Sequence, residues 1–104
     1  MPLEALTTYG DLVTHVHLKD VDRGLLRKVH ASGGGLEGAW GTGVFCALGT
    51  GDAQVAECVA ELQRRGYSGW LVVEQDRTLG NGWSLEDAAK AQQENRAWLA
   101  ERGL

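Results

Sequence analysis

The chain has 104 residues, 43% of them apolar and 23% charged, with a formal net charge of −4. That bounds it at one globular domain with a modest core, and the acidic balance argues against nucleic acid, which requires a basic face. No apolar run approaches the roughly 20 residues of a membrane span, and the N-terminus lacks a basic-then-apolar signal pattern. Cys46 and Cys58 fall within apolar patterns and are expected to be reduced core residues, which sets the expectation of a cytoplasmic location.

Leu3, Leu6 and Tyr9, followed by Gly10, suggest the last turns of a helix with a glycine cap. Leu12 to Leu18 reads as a strand, with Val13, His15, His17 and Lys19 alternating against Val16 and Leu18. From Val21 to Gly43 the pattern is irregular: Leu25, Leu26 and Val29 suit a short helix, and Ser32-Gly33-Gly34-Gly35 breaks it. Val44 to Leu48 is a compact apolar run, expected to be a buried strand, and Gly49 to Asp52 is a turn. Asp52 is placed to cap a helix whose apolar stripe is Val55, Cys58, Val59 and Leu62, ending at Gly66. Trp70 to Glu74 is the clearest strand, and Ser84 with Asp87 forms a capping-box pattern for a last helix reaching about Arg102. Strands alternating with helices imply parallel pairing and right-handed crossovers, an α/β fold.

The chemistry-bearing residues gather at two strand ends. His15 and His17, two apart on a strand, face the same side, and Glu74 ends the second strand with a hard oxygen ligand. Two imidazoles and a carboxylate would leave open positions on a catalytic metal, although a solvent-facing histidine pair has the same pattern. Lys19-Asp20 suits proton transfer or substrate orientation, but equally a salt bridge or an exposed turn. Asp76 would share the face of Glu74 yet sits in the following loop, and Arg23 and His30 are further candidates for anion or hydroxyl contacts. The glycines from Gly33 to Gly43 match neither phosphate-loop spacing, so a lid or connector is expected there.

Three blocks then carry a resemblance. Tyr9-Gly10-Asp11 with His15-Val16-His17-Leu18-Lys19-Asp20-Val21 resembles the sixth-strand region of the xylose-isomerase-like TIM barrels. This family holds sugar-phosphate isomerases and epimerases and, nearest in pattern, dehydratases of 2-keto-myo-inositol. Gly43-Val44-Phe45 through Leu48-Gly49-Thr50-Gly51-Asp52 is similar to its seventh strand and glycine turn. Gly66-Tyr67-Ser68-Gly69-Trp70-Leu71-Val72-Val73-Glu74-Gln75-Asp76 is similar to its eighth, and Asn95-Arg96 with Leu99 to its closing helix.

The resemblance implies a partial (β/α)8 barrel in which residues 1–104 are the C-terminal part, roughly the last three βα units with parallel strands. It implies a divalent metal, Mn2+ or Co2+ in first place with Mg2+ or Zn2+ as alternatives, held by His17 and Glu74. Lys19 and Glu74 would be catalytic, with His15 and Arg23 contacting a keto-polyol or sugar that reacts through a metal-stabilised enediolate. The family's other two ligands lie on the five strands this chain lacks, since the barrel takes roughly 250 residues. A truncated reading frame or an isolated C-terminal piece is therefore expected. Its open strand edges call for self-association or a complementing N-terminal part. A non-catalytic remnant or assembly module is the alternative reading.

Overall fold

A computed structural model describes every residue from Met1 to Leu104. In chain order the elements are α1 (Pro2–Tyr9), a 3₁₀ turn (Gly10–Leu12), β1 (Val16–Leu18), β2 (Asp20–Val21), α2 (Arg23–Ala31) and α3 (Gly35–Trp40). They continue with β3 (Phe45–Cys46), α4 (Val55–Arg64), β4 (Leu71–Val73) and α5 (Leu85–Ala100). No helix is long and apolar enough to cross a membrane, and both cysteines are free thiols.

The first strand is shorter than the alternation implies. Gly10 keeps right-handed dihedrals, φ −54 and ψ −31, so the helix tightens into a 3₁₀ turn instead of stopping at a left-handed cap. Val13 N–H then bonds Gly10 O at 3.1 Å, which commits residues 10–13 to local bonding and leaves Leu12 79% exposed. The glycine segment after α2 is neither a lid nor a plain connector. Gly33 turns left-handed at φ +75, Gly34 N–H closes on Val29 O at 3.0 Å, and α3 starts immediately beyond.

β1 and β4 pair in parallel, with Val16 opposite Leu71, His17 opposite Val72 and Leu18 opposite Val73. β2 and β3 pair antiparallel, Asp20 opposite Cys46 and Val21 opposite Phe45. The expected row of three parallel strands is therefore corrected to one parallel pair and one antiparallel pair, and the strands bearing His17 and Glu74 are direct neighbours. The reason lies at Asp20, which is 1% exposed. Its carboxylate accepts from Val21, Gly49, Gly51 and Ala53 N–H at 2.9–3.1 Å, wrapping the glycine turn around β2. Gly51 is required there: a Cβ would lie 2.5 Å from Asp20 Oδ1 and 2.7 Å from Val21 O.

Asp52 caps a different helix from the one expected. It accepts from Arg23 N–H at 2.9 Å, joining Asp22, which accepts from Leu25 N–H at 2.8 Å, at the start of α2. α4 begins instead from Gln54, at φ +57, with no side-chain cap. The capping box of α5 forms as expected, with Asp87 N–H on Ser84 Oγ and Ser84 N–H on Asp87 Oδ2.

The pleat divides the parallel pair into two faces. Val16, Leu18, Leu71 and Val73 pack with Leu48, Val55, Val59 and Leu99 into the main core. A second core joins Val29, Ala39 and Val44 under Val21, Leu25 and Phe45. Buried Asn95 couples α5 to both neighbouring loops, accepting from Leu48 N–H and donating to Gln75 Oε1, each at 2.9 Å. No element covers the opposite face of the pair, which presents His17, Lys19 and Glu74.

Candidate active site

β1 and β4 run side by side, so their carboxyl ends deliver Lys19 and Glu74 to one place, the edge where open α/β sheets bind ligands. Glu74 N–H continues the ladder to Leu18 O at 2.9 Å, which holds its side chain beside that of His17. His17 Nδ1 bonds Glu74 Oε1, and His17 Nε2 lies 3.2 Å from His15 Nε2, the two rings tilted at 59°. Lys19 Nζ bridges Glu74 Oε2 at 3.0 Å and Asp76 Oδ2 at 2.6 Å, and sits 4.7 Å above the Phe45 ring.

These contacts polarise the cluster in a definite direction. The Asp76 carboxylate, with Glu74 behind it, raises the Lys19 ammonium above its ordinary range despite some desolvation. The hydrogen bonds from Lys19 and then His17 lower the Glu74 carboxyl below the usual range. At neutral pH Lys19 is a fixed cation and Glu74 a fixed carboxylate. Lys19 can therefore donate to a developing oxyanion but does not serve as a resting base.

Sequence reasoning placed His15, His17, Lys19 and Glu74 together, and the structure unites them. It does not bring in Arg23 or His30: both are exposed on α2, and no hydrogen bond or ion pair joins their side chains to the cluster. Lys19 and Asp20 are not a pair, because neighbouring side chains in extended backbone point to opposite faces and Asp20 turns inward. Asp76 is a full member of the site, and the Glu74-x-Asp76 spacing was the available signal. Phe45 arrives from β3, and only the β2–β3 pairing brings it under Lys19.

His17 and Glu74 set an imidazole and a carboxylate side by side, the donor types a divalent ion takes from protein. No three His, Cys, Asp or Glu side chains are arranged to hold one ion, so the chain fits as part of a metal site and does not complete one.

Fold and site together define an α/β chain with an acid–base cluster at the carboxyl ends of a parallel strand pair. Over most of its length this chain is a relative of the inosose dehydratases. It is 34% identical over 83 residues to the inosose dehydratase of Lactiplantibacillus plantarum, covering 80% of this chain and 28% of that one. With the inosose dehydratase of Halalkalibacterium halodurans it shares 33% identity over 88 residues, 85% of this chain and 29% of the relative. The rhizopine catabolism protein MocC of Rhizobium meliloti is 30% identical over 99 residues, 95% of this chain and 30% of its own. The chain thus spans under a third of the length of the curated relatives it matches. No protein-family model and no solved structure matches it.

Proposed function

We propose that residues 1–104 are the C-terminal part of an inosose-dehydratase-like enzyme acting on a keto-polyol, with the metal site shared between this chain and the rest of a TIM barrel. The observation that carries this reading is the His17–Glu74 contact on adjacent parallel strands of a chain similar to inosose dehydratases. His17 and Glu74 would hold a divalent ion, Mn2+ or Co2+ before Mg2+ or Zn2+, which when bound polarises a substrate carbonyl. Lys19 donates a hydrogen bond to the oxygen on which enediolate charge develops, and its ammonium offsets that charge. Glu74, held as a carboxylate, steadies both Lys19 and His17. His15 contacts substrate hydroxyls beside His17, and Arg23 is assigned to the same task from the start of α2. The partners are the substrate and either a complementing N-terminal part or a second copy, in the cytoplasm.

The test is reconstitution with a polypeptide carrying the remainder of an inosose dehydratase, followed by Mn2+ titration and assay on 2-keto-myo-inositol. Stoichiometric Mn2+ and dehydration, both lost in His17→Ala, are the expected results. A His17→Ala complex as active as the parent sinks the reading. The two-donor cluster favours one further reading, a non-catalytic remnant or assembly module. A stable complex that binds no metal and turns over nothing supports that alternative.

A further inference from the structure

Beside the His17–Glu74 cluster lies a hollow of about 260 Å³, lined by Trp40 at the end of α3 and by Asp76, Arg77 and Thr78 after β4. Thr78 N–H bonds Trp40 O at 2.8 Å, which ties the two walls together. Asp76 belongs to both places: Oδ2 takes Lys19 Nζ, leaving Oδ1 free to accept from another donor. Arg77 stacks its guanidinium 4.6 Å from the centre of the Trp83 ring, and its Nε is buried with no acceptor. A buried donor without a partner is costly, and few native groups are left so. Trp40 is 39% exposed.

We propose that this hollow is a subsite for a neutral polyhydroxylated ring. Vicinal hydroxyls both donate and accept, so an adjacent carboxylate and guanidinium match them in pairs, while an indole takes the ring's C–H face. Charge selects the class of ligand. The two acids of the joined site, Glu74 and Asp76, cancel its two bases, Lys19 and Arg77, and leave no surplus cation for a phosphate. The inference rests on the keto-polyol reading, because it names the residues that seat the hydroxyls remote from the reacting carbonyl. Occupancy of the hollow needs no metal.

The 15N-labelled chain, free of metal, is titrated with myo-inositol and separately with inorganic phosphate. Myo-inositol is expected to shift the Trp40 indole N–H and the Arg77 Nε–H saturably, and phosphate to shift neither. Arg77→Met weakens myo-inositol binding at least tenfold, and Arg77→Lys, which keeps the charge without the Nε donor, fails to restore it. Trp40→Leu, at an exposed position, gives the same weakening and serves if the Arg77 variants unfold. No shift with myo-inositol, parental affinity in these variants, or preference for phosphate overturns the proposal. His17→Ala leaves the myo-inositol shifts intact, so loss of metal binding alone counts against the enzyme reading and spares the subsite.

Discussion

Asp20 shows how one side chain decides local topology. It is buried, accepts from four backbone N–H groups, and fixes the Gly49–Ala53 turn against β2. Removing the carboxylate strands those donors in a site closed to solvent, and each unsatisfied buried group costs about 1–3 kcal/mol. Asp20→Ala is therefore expected to destabilise the chain by about 3 kcal/mol, read as a lower urea midpoint. An unchanged midpoint would contradict the role given to Asp20. Its neighbour Lys19 faces the other way into the site, so Lys19→Met spares most of that stability. The sequence showed Lys19-Asp20 as a couple, and only the pleat assigns them separate work.

Among the elements, α1 is attached by polar contacts more than by core, since none of its residues is buried. Arg65 at the end of α4 reaches Glu61 at 2.7 Å, Asp11 at 3.2 Å and Thr7 O at 2.9 Å. Hydrogen bonds from Arg64 and then Arg65 hold Glu61 down at about 2, from an ordinary 4.5. Because the folded value is the lower one, the stability this carboxylate contributes is present above pH 4.5 and is lost as pH falls toward 2. Across that window amide protection in α1 is expected to collapse before that of α4 and α5, and Glu61→Gln should flatten the transition. Simultaneous loss in all three helices would show that α1 is held some other way.

The whole molecule leaves much surface open. Its accessible area is 6723 Å², against about 5,700 Å² for a compact monomer of this mass. Its radius of gyration is 14.6 Å, where about 13 Å is ordinary for this length. Only 12 of 104 residues are buried. β1 pairs with β4 alone, so its other edge is unpaired, next to a mainly apolar hollow of about 460 Å³ that includes Leu6, Val13 and Leu62. An unpaired edge above an apolar floor is a template for another strand. Light scattering is expected to show the chain associating, either with itself as concentration rises or with the remainder of an inosose dehydratase. A monomer indifferent to both would refute this.

The sequence by itself determined the helices of the second half, the capping box at Ser84, the stop at Gly66, the apolar floor of β4 and the four polar residues at the strand ends. These are short-range matters of period, caps and turn residues, settled within a few residues of one another. It also carried the likeness to keto-inositol dehydratases. Only the tertiary structure decided that β1 and β4 are adjacent, that the Val44–Leu48 run turns antiparallel against β2, and that Asp76 and Phe45 enclose Lys19. Those outcomes depend on contacts between segments tens of residues apart, where a buried carboxylate and the competition for one sheet edge outweigh local preference.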